Sequence, residues 1–261
     1  MTYTFRPSHY NVTDAETARV YEPGGAGNGL LNNLIAYWPG NEANGNTLDL
    51  HINALHLTDT NTVTSNPGLV YPLARQYTAA NLEYHARPGD DVLLSAGNVD
   101  FTLATWVNMQ ALVALGGIAG KWGSGGAAFG YTIGYYNTTQ RFFFAVSSNG
   151  LDSTLLSADS LGAPVINTWY FVLCWSDTVA DTINIRVNNG VVDSVGYALG
   201  VYDNAKPFEI GRYQALFYNS GRIGPTMFWK SAAGGGGVLD AAKRTALWAG
   251  GAGLTYAQFT A

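Results

Sequence analysis

The run VDFTLATWVNM, residues 99–109, constrains the fold more than any other stretch of the chain. β-branched and aromatic residues dominate it, and Gly97 and Asn98 signal a turn just ahead. Side chains alternate across a strand, so Phe101, Leu103, Thr105 and Val107 share one face while Thr102, Ala104, Trp106 and Asn108 share the other. Both faces carry apolar groups. Such a strand is expected at the centre of a sheet that is covered on both sides.

Composition points the same way. The 261 residues are enough for a substantial core, with 16 Tyr, 11 Phe and 7 Trp against only 12% charged residues. The 32 glycines supply the tight connections that closely spaced strands need. A disordered chain would be charge-rich and aromatic-poor. The net charge of −5, with 13 scattered basic residues, argues against nucleic acid as a partner. No apolar run reaches the ~18 residues of a membrane-spanning helix, so membrane insertion is not expected. The N-terminus lacks the basic start and apolar core of a secretion signal, and Met1 is expected to be the native start. The one cysteine, Cys174, permits no intrachain disulfide and reads as a buried thiol in the apolar run WYFVLCWSD.

Residues 1–33 differ from the rest: Tyr3, Phe5, Tyr10, Val12 and Tyr21 are irregularly spaced, and a glycine-rich run from Pro23 to Gly29 reads as a hinge. This segment is either an extra strand or two packed on the domain or an arm that docks on a neighbouring subunit. A single domain is expected over residues 34–261. Strands are expected at Leu34–Trp38 and Leu48–Asp59, with a hairpin from Leu69–Thr78 and Ala80–Pro88. Further strands are expected at Leu112–Trp122, in FGYTIGYY and QRFFFAVSS, and over Ile166–Asp177, Asp181–Tyr197 with a strong turn inside it at Asn188-Asn189-Gly190, Pro207–Tyr213 and Gly221–Ser231. Only VLDAAKRTALW, with Leu239, Ala242, Ala246 and Leu247 at helical spacing, predicts a helix. The pattern is that of an all-β, two-sheet antiparallel sandwich or jelly roll with one short C-terminal helix.

An ordered series of segments supports a family resemblance. LIAYWPGNEANGNTLDLHINALHLT, ARQYTAANLEYH, VDFTLATWV, NTWYFVLCWSD, INIRVNNGVV, FEIGRY and the closing RIGPTMFWKSAAGGGGVLDAAKRTALWAGGAGLTY follow one another as in the laminin-G-like, concanavalin-A-like jelly rolls. The chain resembles the bacterial and phage branch of that family from about Leu34 to Phe259. The resemblance implies two curved antiparallel sheets face to face, usually serving recognition or adhesion. It implies no particular ligand, because the fold hosts lectins, glycosidases, protein-binding modules and spacers.

Candidate chemistry is sparse. A glycosidase needs two carboxylates on one strand face, and the five glutamates Glu16, Glu22, Glu42, Glu83 and Glu209 offer no such pair on a predicted inner strand. No Gly-x-Ser-x-Gly elbow occurs, and the glycine runs 123–126 and 234–237 read as turns. His9, His51, His56 and His85 read as surface or turn residues, with His51 and His56 on opposite faces of a strand. Calcium is the one cofactor the resemblance suggests, through Asp49, Asp59, Asp203 and Asn204, with Asp90 and Asp91 also candidates. The alternative is that these residues bond their own turns. For carbohydrate, Trp122, Tyr135, Tyr136, Tyr213, Phe217 and Tyr218 lie in or near predicted turns and could stack on sugar rings; exposed aromatics serve protein interfaces equally well. Trp38, Trp106, Trp169, Trp175 and Trp229 read as core.

These features lead to a protein that is not an enzyme, and two settings stand. One is a structural or adhesive component of a bacteriophage virion surface, a decoration or fibre protein made in the host cytoplasm and joined to other subunits through residues 1–33. The other is a carbohydrate-binding, lectin-type module of a secreted or cell-surface bacterial protein that recognises surface glycans.

Overall fold

The computed structural model describes residues 28–260. The expected arm therefore lies, up to residue 27, outside the described residues, as do His9 and the carboxylates of Glu16 and Glu22. Residues 28–33 pack into the domain ahead of the expected boundary at Leu34. Leu30 is buried and its carbonyl accepts from Trp229 Nε1 at 2.7 Å, while Asn28 Nδ2 donates to the Gln258 carbonyl.

The first strands are β1 (Leu34–Trp38), β2 (Thr58–Thr60), β3 (Thr64–Pro67), β4 (Leu73–Tyr77), β5 (Tyr84–Ala86) and β6 (Asp100–Met109). There follow β7 (Leu115–Trp122), β8 (Phe129–Tyr136), β9 (Arg141–Val146), β10 (Thr154–Ser157), β11 (Trp169–Asp177) and β12 (Thr182–Val187). The last are β13 (Val192–Gly196), β14 (Glu209–Ile210), β15 (Arg212–Tyr213), β16 (Phe217–Tyr218) and β17 (Gly221–Ser231), before helix α1 (Ala241–Trp248).

They form a sandwich of two antiparallel sheets. The first runs β13-β12-β11-β6-β17-β4-β3, with β1 also paired to β17; the second runs β10-β9-β8-β7-β14-β5-β2. Strand β6 sits in the middle of the first sheet between β11 and β17, and all its residues are buried. Its alternation divides two cores. Phe101, Leu103 and Val107 enter the inter-sheet core with Tyr131, Ile133, Phe142 and Phe144 of the second sheet. Ala104 and Trp106 face outward, where Leu239, Leu247, Trp248 and Phe259 of the C-terminal segment cover them. Trp248 stacks on Trp106 at 5.3 Å.

Strand β17 carries Pro225 mid-strand without a break. Its register shifts between Ile223 and Thr226, so Gly221–Ile223 pair with β4 and Thr226–Trp229 with β1, and the proline falls where no ladder hydrogen bond is required. Cys174 is free and buried in the inter-sheet core, where burial pushes its thiol pKa up. Helix α1 begins at Asp240, whose side chain accepts from the Lys243 N–H at 2.8 Å, and ends at Ala249 in the left-handed region.

Three expected elements differ. Leu69–Thr78 and Ala80–Pro88 are no hairpin, because β4 joins the first sheet and β5 the second. Leu48–Asp59 is largely irregular despite its alternation. Asp49 is buried there and takes three backbone N–H groups, from Tyr37, His51 and Leu55, at 2.8–2.9 Å, so the segment wraps around a carboxylate instead of pairing as a strand. Pro207–Tyr213 divides at Gly211, whose φ of +89° turns β14 out of the second sheet into the small hairpin β15–β16.

Candidate functional site

The outer face of the second sheet carries an aromatic patch. β7 and β8 place glycines on that face, and larger groups lie in the space they leave. A Cβ at Gly117 would collide with the Arg212 backbone, so the β15–β16 hairpin can lie directly across β7; at Gly134 the Phe143 ring occupies the corresponding space. The hairpin turns at Gln214 and Ala215, both non-glycine residues with φ near +55° (54° and 56°). Arg212 anchors it through an ion pair with Glu209 and stacks its guanidinium 3.5 Å over the Tyr84 ring.

Of the six aromatic residues expected to bind, the structure brings four together. Trp122, Tyr136 and Tyr213 belong to one cluster with Phe129 and Phe143, and Phe217 lies 6.0 Å from Tyr213. Trp122, expected as a platform, is a buried slab. Phe129 stacks on it at 4.6 Å and Tyr213 at 5.7 Å, so its ring supports the patch from beneath. Tyr135 is buried in the inter-sheet core, because the two-residue period turns it inward when its neighbour Tyr136 faces out. Tyr218 stands apart, half-buried beside Tyr84. Half-buried Phe129, Tyr136, Tyr213 and Phe217 remain for a ligand, flanked by exposed Leu216, half-buried Gln214 and the exposed tip 137–140. Burial pushes the Tyr213 phenol up to about 12, so it is a neutral hydroxyl at physiological pH. Phe129, which sequence reasoning passed over, joins because β8 opens with its ring on the outer face.

The calcium candidates do not converge. Asp49 is enclosed in its loop, Asp59 accepts from the Val63 N–H at 2.9 Å, and Asn204 bridges the Lys121 carbonyl and the Lys206 N–H. Among the described residues no three His, Cys, Asp or Glu side chains group to hold a metal. Asp90 and Asp203 do meet, but around an internal cation. The buried Lys121 ammonium lies 2.7 Å from Asp90, 3.1 Å from Asp203 and 2.7 Å from the Ser95 hydroxyl. Burial opposes ionisation of Asp203, yet the Ser95 hydroxyl and Lys121 outweigh it and hold the carboxyl below its usual range. Asp91 caps the turn at Leu93 and pairs with Arg87.

His85 is fully buried, which corrects its reading as a surface residue. Its Nδ1 lies 2.9 Å from the Tyr77 hydroxyl, and its Nε2 lies 2.9 Å from buried Arg75 Nη2 and 3.0 Å from the Gly45 carbonyl. Burial lowers its pKa from 6.5 to about 4, with the Arg75 charge adding to the effect. His51 is also buried and lies 3.1 Å from the Tyr256 hydroxyl, while His56 accepts from the Asp49 N–H. A cavity of about 200 Å³ lies elsewhere, between residues 158–161 and the β12–β13 turn.

Residues 84–234, more than half of the chain, match the family model of the concanavalin A-like lectin/glucanases superfamily. The chain belongs to this superfamily. Solved structures share the sandwich at low identity, which shows the fold alone. The binding domain of Paraclostridial Mosquitocidal Protein 1 matches with a TM-score of 0.65 and 13% identity, over 84% of this chain and 52% of that one. The binding domain of botulinum neurotoxin serotype D/C matches with a TM-score of 0.61 and 12% identity, over 87% and 53%. The chain thus spans about half the length of these two toxin domains. Domain 4 of AbnA, an extracellular arabinanase from Geobacillus stearothermophilus solved with arabinotriose, matches with a TM-score of 0.53 and 16% identity, over 80% of this chain and 98% of that domain. No curated protein sequence matches the chain.

Proposed function

We propose that this member of the concanavalin A-like superfamily is a non-catalytic recognition module that binds carbohydrate through the aromatic patch on its second sheet. The observation that carries this reading is the convergence of Phe129, Tyr136, Tyr213 and Phe217 on one half-buried surface with polar groups at its rim. Sugar C–H faces stack on aromatic rings, and hydroxyls need directed polar partners such as Gln214 and residues 137–140. Chemical groups for cleavage are not gathered there. Glu209 is committed to Arg212, and the Lys121 ammonium sits between Asp90 and Asp203 and helps hold the Asp203 carboxyl below its usual range, the opposite of what a general acid needs. The arabinotriose complex of the AbnA domain supports a saccharide as the ligand class.

A glycan array probed with the full chain tests this. Binding to at least one saccharide is expected, with a tenfold or greater loss in Tyr213→Ala or Phe217→Ala. A blank array, or a signal unchanged by both alanine variants, overturns the reading.

The finer setting is a bacteriophage virion surface, with the part of the N-terminal segment ahead of Asn28 joining the domain to other subunits. It is supported by the aromatic-bearing stretch ahead of Asn28, and the lectin-type module of a secreted or cell-surface protein is the alternative. Removal of residues 1–27 is expected to abolish incorporation into particles; normal incorporation would rule the virion attachment out.

A further inference from the structure

The outer face of the first sheet, opposite the aromatic patch, carries a buried guanidinium, Arg186, that has no ion-pair partner among the described residues. Strand β12 sends Ile183, Ile185 and Val187 into the inter-sheet core, which turns Thr182, Asn184 and Arg186 outward. Pairing with β11 sets Arg186 opposite Leu173 and Asn184 opposite Trp175, so the Arg186 side chain is a diagonal neighbour of the Trp175 ring. Arg244 reaches the same ring from α1, its guanidinium carbon 4.2 Å from the ring centroid.

Arg186 is only 7% exposed. Its Nε and Nη2 are both buried without an acceptor, and among the described residues no other guanidinium has two such groups. Arg244 donates from Nη1 to the Leu239 carbonyl at 2.9 Å, but its Nε is likewise buried and unanswered. Neither arginine is in an ion pair among the described residues. The carboxylates nearest Arg244 are engaged elsewhere: Asp240 with the Lys243 N–H and ammonium, Asp177 with the N–H groups of Val179 and Ala180. Burial, and then the neighbouring Arg244, draw the Arg186 pKa down, as expected for a cation enclosed beside another with no counter-charge.

Enclosing donors of a cation without acceptors is destabilising, and native folds seldom keep such groups without a partner. Guanidinium forks match planar or tetrahedral oxyanions through paired N–H donors. We infer that Arg186 and Arg244 form a binding site for the oxyanion group of a ligand: carboxylate, sulfate or phosphate. Exposed Ser194, on the neighbouring strand β13 opposite Asn184, offers a hydroxyl at the rim. This site is independent of the aromatic patch and stands whether or not that surface binds sugar.

The test is thermal unfolding and titration calorimetry of the full chain in sodium sulfate, sodium phosphate and sodium glucuronate. Each is compared with sodium chloride at equal ionic strength, and glucose serves as the neutral control. A saturable rise in Tm with at least one oxyanion is expected, and a tenfold or greater loss of affinity in Arg186→Met and in Arg244→Met. Methionine keeps much of the apolar stem without the charge, so Arg186→Met is expected to fold and to be at least as stable as the unliganded wild type. Preference for glucuronate assigns an acidic saccharide, and preference for sulfate or phosphate assigns a free or esterified inorganic anion. No rise above chloride with any of the three, or an equal rise in Arg186→Met, overturns the inference.

Discussion

His85 shows how much one residue's surroundings can decide. Its ring is held between Tyr77, Arg75 and the Gly45 carbonyl, in a place where an imidazolium would be both desolvated and beside a guanidinium. In the fold it takes a proton only near pH 4, whereas an ordinary histidine does so near 6.5. As pH falls the unfolded chain therefore binds the proton first, and stability that is full above 6.5 is lost between 6.5 and 4. The loss attributable to this group amounts to about 3 kcal/mol at pH 4. Urea unfolding of the wild type and of His85→Gln across that window checks it: the variant should be less stable at pH 7 but lack this share of the acid sensitivity. Parallel pH curves would contradict the assignment. None of this was legible in the sequence, where His85 is one polar residue in ANLEYHARP; its partners come from β4 and the loop at Gly45. Lys121 was hidden in the same way, because Asp90, Ser95 and Asp203 meet it only through the fold.

At the scale of the element, legibility followed how many faces a segment buries. Strand β6 was readable because both its faces enter cores, so its alternation and its apolar content agree. The helix was readable from Leu239 to Leu247 because one stripe of it meets the outer core. Leu48–Asp59 misled because alternation also arises when a chain wraps a buried carboxylate, and Asp49 takes the backbone groups that a neighbouring strand would have taken. The candidate site was half legible. Tyr136, Tyr213 and Phe217 were expected to be available, but strand β8 has aromatic residues at consecutive positions, and only the register decides that Tyr135 faces in and Tyr136 out. Trp122 sits at the end of β7, where a turn was expected to expose it; the β15–β16 hairpin, invisible in PFEIGRY because Gly211 alone bends it, folds back and covers it.

For the whole molecule, three layers of packing divide the labour. The inter-sheet core joins the sheets, the C-terminal segment seals the outer face of the first sheet over Trp106 and Trp229, and among the described residues only a two-stranded hairpin lies across the outer face of the second sheet. Membership of the concanavalin A-like superfamily accounts for the sandwich, and the lightly covered second sheet is where the account places recognition. The most direct measurement is hydrogen–deuterium exchange of the full chain with and without a saccharide that it binds. The account predicts slowed exchange in residues 129–136 and 212–218, with the saccharide recovered intact. Protection confined to other surfaces, or recovery of a cleaved sugar, would contradict it.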